Sequence, residues 1–103
     1  MTDEARDALL RADGLFKAGD LDGAERAYDS LDFGTCNDED VVFQCANNRG
    51  ALMLKRGRFD EAMAHFEAAL GIREEADVFY NLGAARRNAG RVAEAVDLSL
   101  IHI

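Results

Sequence analysis

The feature that most constrains the fold of this chain is a pattern that occurs three times in one register. The pattern centres on Gly19, Gly57 and Gly90, at intervals of 38 and 33 residues. Small residues stand five positions after and seven positions before each glycine. They are Ala24, Ala62 and Ala95 after it and Ala12, Gly50 and Gly83 before it. This repetition predicts three similar units stacked along the chain.

Each unit has apolar residues at helical spacing before its glycine and again after it, which predicts a helix, a tight turn and a second helix. The small residues let the two helices of a unit pack closely and antiparallel. No proline interrupts the pattern, and no segment alternates with period two. The chain is therefore predicted to be all-α. The expected helices cover 3–18, 21–31, 39–56, 59–71, 75–89 and 92 to near the end, with Thr2, Asp20 and Asp38 as candidate N-caps.

The spacing of leucine, glycine, alanine and aromatic residues resembles the tetratricopeptide repeat (TPR). "FYNLG" at 79–83 is similar to the start of that repeat, and "AERAY" at 24–28 and "AMAHF" at 62–66 are similar to its second half. The resemblance implies an antiparallel helix-hairpin solenoid, a right-handed superhelix of six helices. It implies a repeat domain over 1–97, with repeats at about 5–38, 43–75 and an incomplete one at 76–97.

The last six residues differ in composition from the acidic, alanine-rich chain before them. "LSLIHI" at 98–103 is one reading frame of the transposon-end adapter used to fragment DNA for sequencing. We therefore expect 98–103 to be a non-native tail and the chain to be an N-terminal fragment. A genuine hydrophobic end to the last helix is the alternative.

Composition and motifs argue against several classes of function. The net charge of −8 disfavours binding to nucleic acid or to anionic membranes. The start of the chain lacks a secretory signal, which predicts a cytoplasmic protein. No catalytic constellation, phosphate-binding loop or cofactor motif occurs, and the Cys and His residues lack metal-ligand spacing. We therefore expect no enzyme activity, no cofactor and no metal.

In the family that the chain resembles, the first helices of the units line a concave groove. The corresponding residues carry amides and cations although the whole chain is acidic, which favours an extended, acidic peptide as ligand. The alternatives are a merely solvated face, or a structural or self-associating module of a larger protein that pairs through an uncapped C-terminal end. The candidate groove residues are Arg6, Lys17, Gln44, Asn47, Asn48, Lys55, Tyr80, Asn81 and Arg87.

Overall fold

The computed structural model describes residues 3–31 and 38–101, with side chains for 4–31 and 38–93. This part of the chain contains helices and no strand, which confirms the all-α prediction. The candidate cap Thr2 and the final residues 102–103 lie outside it. The helices are α1 (Asp3–Lys17), α2 (Leu21–Asp29), α3 (Glu39–Lys55), α4 (Phe59–Ile72) and α5 (Ala76–Ile101).

The first four helices form two hairpins, and α5 packs beside the second one. Helix α1 packs on α2, and α3 packs on α4, while α3 also contacts α1 and α5. Small residues predicted to lie where the helices of each hairpin meet are fully buried: Ala12 and Ala24 in the first hairpin, Ala62 in the second. The aromatic side chains of Tyr28 and Phe66 are buried beside them. These positions confirm the predicted register for the first two units.

The turns of both hairpins depend on a glycine with a left-handed backbone. Gly19 has a φ of 88° and Gly57 has a φ of 78°. After α3, the Gly57 amide donates to the Leu54 carbonyl and the Arg58 amide donates to the Met53 carbonyl, at 3.1 and 2.9 Å. The same bonds follow α1. This pairing satisfies the last carbonyls of a helix and requires a residue that tolerates positive φ.

The third unit differs from the prediction of six helices. Helix α5 runs without interruption through Gly90, which has no positive φ, so the two helices predicted at 75–89 and from 92 onward are one. A glycine permits a turn but does not impose one. In the first two units, burial of Tyr28 or Phe66 nine residues after the glycine stabilises the turned conformation. The third unit has Ser99 at that position. The right-handed superhelix stays a prediction.

The contrast between Gly57 and Gly90 gives a direct stability test. At both positions an added Cβ would meet nothing within 4 Å, so only the backbone conformation distinguishes them. Gly57→Ala is expected to lower the free energy of unfolding by about 1–2 kcal/mol, because alanine is strained in the left-handed region. Gly90→Ala is expected to raise it by up to about 1 kcal/mol, because alanine favours a helix interior. Thermal and urea unfolding of both variants measure the two changes; a loss in both would place Gly90 in a turn.

Arginine–carboxylate pairs connect the two hairpins along their outer surface. Arg56 lies 2.7 Å from Asp22, and Arg58 lies 2.5 Å from Glu25. A third arginine, Arg49, contacts a carboxylate of α2. In each pair one partner is well exposed, from 47% for Arg58 to 78% for Asp22, so water screens the attraction and each pair contributes only about 0–1 kcal/mol. These pairs engage Arg49, Arg56 and Arg58, none of which belongs to the candidate groove set.

Candidate functional site

The residues predicted to line the groove occur on α1, α3 and α5, and α3 lies between the other two helices. We call the surface formed by these residues the inner wall. All nine side chains are exposed or half-buried, as a binding surface requires. Among the described residues, the most exposed aromatic one is Tyr80, which is 70% exposed. Leu9, which falls in the same stripe of α1, is instead buried in the core.

Asp13 organises the part of the inner wall where α1 meets α3. Its Oδ1 atom accepts hydrogen bonds from the hydroxyl of Tyr28 and from Nδ2 of Asn48, the second at 2.9 Å. Tyr28 is almost completely buried, so its hydroxyl needs a partner inside the protein. Asp13 therefore joins the second helix of the first unit to the first helix of the next.

Burial determines which atom donates in this group. It raises the pKa of Tyr28 above its usual value, and the hydrogen bond to Asp13 raises it further. The hydroxyl therefore keeps its proton throughout the physiological range and remains a donor to the carboxylate. Two donors thus hold Oδ1 of Asp13 in the inner wall.

A second amide contact joins α3 to α5. Nδ2 of Asn81 donates to Oδ1 of Asn47 at 3.4 Å. Asn48 and Asn81 occupy the same position in successive units, nine residues before the unit glycine. Each of the two therefore uses one amide N–H in contacts between neighbouring first helices. The carbonyl oxygen and the second N–H of each amide remain as further hydrogen-bonding groups.

A cleft of about 340 Å³ opens beside Asp13. Its lining also includes Phe16 and Lys17 from α1. Lys55 of α3 lies over the same place, with its Nζ atom 6.0 Å from the centre of the Phe16 ring. Lys17 and Lys55 each stand two residues before their unit glycine, in the last turns of neighbouring helices. The cleft thus combines an aromatic face with two ammonium groups. Its lining residues are Asp13, Phe16, Lys17, Tyr28 and Asn48.

The lysines differ from most of the arginines in their ion pairs. Within the described residues, neither Lys17 nor Lys55 has a carboxylate within 4 Å, and Arg87 of α5 has none either. Arg6 behaves differently, since it lies 2.9 Å from Asp38 and 3.5 Å from Asp40 at the start of α3. The structure therefore separates Arg6, which is already paired, from the three other cations of the predicted set.

The candidate groove residues predicted from the sequence include neither Tyr28 nor Asp13, although both line the cleft and Asp13 accepts two hydrogen bonds there. The repeat register contained the signal. A residue nine positions after the glycine packs against residues six and seven positions before it, as Tyr28 does with Asp13 and Phe66 with Gly50.

Comparison with known proteins agrees with this geometry. Residues 42–76, which include most of α3 and all of α4, match the family model of the tetratricopeptide repeat. The chain is of the tetratricopeptide-repeat type. It is similar to the regulatory protein AfsR of Streptomyces coelicolor, with 33% identity over 105 residues. That match covers 93% of this chain and 11% of AfsR, so the chain spans about a ninth of its relative. No solved structure matches the chain significantly.

Two kinds of feature are absent from the residues of this TPR chain that the structure describes. No helix in these residues is both long and apolar enough to cross a membrane. No group of three or more His, Cys, Asp or Glu side chains there could hold a metal ion.

Proposed function

We propose that this chain is a protein-interaction module whose inner wall binds an extended, acidic peptide. The observation that carries the proposal is the pair of lysines at the Phe16 cleft. In a chain of net charge −8, Lys17 and Lys55 come together on neighbouring helices, and no carboxylate of the described residues lies within 4 Å of either. Asp13 lines the same cleft, but its Oδ1 atom accepts hydrogen bonds from Tyr28 and Asn48, so a peptide carboxylate supplies the close partner of the lysines. The proposal is a binding function without catalysis.

The contacts of the peptide follow the order of the helices. An acidic side chain binds between Lys17 and Lys55, and an adjacent apolar part of the peptide packs on the Phe16 ring. Arg87 and the exposed Tyr80 extend the same surface onto α5. A second charge and an aromatic side chain there suit a peptide that continues along the wall.

The amides of the wall have a smaller role than the cations. Three of these amides, those of Asn47, Asn48 and Asn81, already make hydrogen bonds inside the protein. Only their remaining N–H groups and oxygens, together with the amide of Gln44, can bond the peptide backbone. Arg6 contributes only if a ligand displaces it from Asp38. We therefore place the main attraction at the lysines. Affinity is expected to be micromolar at best, because exposed charges are screened and few repeats take part.

Fluorescence anisotropy with a labelled Glu-rich peptide tests this function. Lys17→Gln/Lys55→Gln is expected to weaken binding about tenfold at low salt, because both ammonium groups are lost. The control is Arg11→Gln/Arg26→Gln, which changes the net charge equally. Arg11 and Arg26 are exposed and lie outside the predicted wall set, and among the side chains that the structure describes neither has a carboxylate within 4 Å. Equal losses in both double variants, or preference for a Lys-rich peptide, would contradict a specific acidic-peptide site.

The wider role is also a proposal. The match to AfsR, which is named a regulatory protein, supports a place for this module in a larger regulatory protein. There the wall would hold an acidic segment of a partner protein, in the cytoplasm.

A further inference from the structure

Within the described part of the chain, no helix packs over one stripe of α5. It consists of Phe79, Gly83 and Arg86, which follow one another at helical spacing on the side next to the buried residues Val78 and Leu82. The Phe79 side chain is 51% exposed. A Cβ atom added to Gly83 would meet nothing within 4 Å. We call these three residues the uncovered stripe.

The second unit shows what normally covers this position. Gly50 stands seven residues before Gly57, as Gly83 stands before Gly90. A Cβ atom added to Gly50 would lie 2.5 Å from the ring of Phe66, because α4 packs directly on that glycine. The first and second units therefore each cover their own first helix with their own second helix. In the third unit the same face of the first helix is open.

The chain contains the segment that matches this face, but α5 carries it away. Val92 and Ala95 follow Gly90 at the positions of Phe59 and Ala62. Helix α5 is continuous there, so Ala95 lies twelve residues beyond Gly83, or about 18 Å along the axis at 1.5 Å per residue. With α5 straight, the segment cannot reach the uncovered stripe of its own chain.

We propose that a second copy of this chain covers the stripe, with residues 91–97 of each α5 packed antiparallel on Phe79, Gly83 and Arg86 of the other. In this exchange, the two helices of the third unit pack on each other as they do in the first two units, but the helices come from different chains. It is reciprocal, so the two copies form a closed, twofold-symmetric dimer. The stripe lies on a different part of α5 from Tyr80 and Arg87, and the proposal stands independently of peptide binding.

Sedimentation velocity over a range of protein concentrations tests the dimer. The wild type is expected to show a concentration-dependent dimer, and Phe79→Asp is expected to raise its dissociation constant at least about tenfold. Leu10→Asp is the matched control, because Leu10 is an apolar side chain of α1 that is 60% exposed. It adds the same charge away from the stripe and should leave the dimer unchanged. A wild type that stays monomeric up to about 1 mM, or a dimer that Phe79→Asp does not weaken, would overturn the proposal.

A disulfide experiment distinguishes exchange from other modes of pairing. The third-unit positions equivalent to Gly50 and Phe66, which are in contact, are Gly83 and Ser99. One turn forward along the first helix and one turn back along the second gives positions 86 and 95, which face each other in the same packing. Chains with Arg86→Cys and chains with Ala95→Cys, carrying tags of different size, are mixed and oxidised. Both carry Cys36→Ser, while burial raises the pKa of Cys45 to about 12 and keeps that thiol unreactive.

Exchange predicts a disulfide between the two differently tagged chains. The doubly substituted chain, Arg86→Cys/Ala95→Cys, gives the opposing measurement at high dilution. A disulfide formed within that single chain would show that its own segment folds back at Gly90 and covers the stripe. That result, or failure of the mixed chains to cross-link, contradicts the proposal.

Discussion

Replacing Phe66 by alanine is expected to lower the free energy of unfolding by about 3–5 kcal/mol, the largest effect of any substitution considered. The Phe66 side chain is fully buried and packs on the backbone of Gly50 where α3 meets α4. Its removal leaves a cavity that the helices cannot close without losing the contacts of Ala62 and Ala69 beside it. Urea unfolding followed by circular dichroism measures the change.

Phe79→Ala is the matched control for Phe66→Ala. The two residues are of the same type and lie in neighbouring helices, but the Phe79 side chain is 51% exposed. At protein concentrations below those that favour a dimer, we expect a loss of under about 1 kcal/mol, because little packing is removed. Similar losses in the two variants would mean that the register of α4 against α3 is wrong.

Asp13→Ala is expected to lower the free energy of unfolding by about 1–3 kcal/mol, although Asp13 is a half-buried residue on the inner wall. The substitution leaves the buried hydroxyl of Tyr28 without its acceptor and removes the partner of Asn48. Asp13→Asn keeps a side-chain oxygen at the same place and should cost less. Chemical unfolding of the two variants gives the comparison.

A double-mutant cycle with Tyr28→Phe separates this hydrogen bond from other effects of removing the carboxylate. In the Tyr28→Phe background no hydroxyl is left unpaired, so Asp13→Ala should cost less than it does in the wild type. An identical cost in both backgrounds would show that Asp13 stabilises the fold by some other contact.

The sequence was sufficient to predict the first two hairpins because their side chains repeat at fixed distances from a glycine. Ala12, Ala24 and Ala62 were predicted to pack closely, and they are fully buried. The N-caps Asp20 and Asp38 were also predicted, and both accept hydrogen bonds from the first turn of the following helix. Local chemistry and periodicity determine all of these features.

The continuous α5 could not be predicted in the same way. Gly90 has the same place in the pattern as Gly19 and Gly57, yet its backbone remains helical. Whether such a glycine turns depends on the free energy gained by burying the helix that follows. Ser99, in place of Tyr28 or Phe66, reduces that gain, but periodicity alone does not give its size.

The face that carries Lys17 and Lys55 follows from the family resemblance, and its role as a binding site stays a prediction. Its contacts could be predicted only in part. The pairing of Arg6 with Asp38 was not predicted, because it depends on how α1 sits against the start of α3. The bond from Asn48 to Asp13 likewise depends on the offset between two helices. The spacing of residues within one helix cannot predict either of these contacts between helices.

Nuclear magnetic resonance titration of the labelled protein with a Glu-rich peptide tests the central claim most directly. Binding at the inner wall predicts that the largest shifts occur in the side chains of Lys17, Lys55 and Asn48 and in the amides around them. The exposed outer residues of α2 and α4 should change little, and added salt should weaken every shift together. Shifts confined to α2 and α4, or the same shifts with a Lys-rich peptide, would contradict the claim that this wall binds acidic peptides.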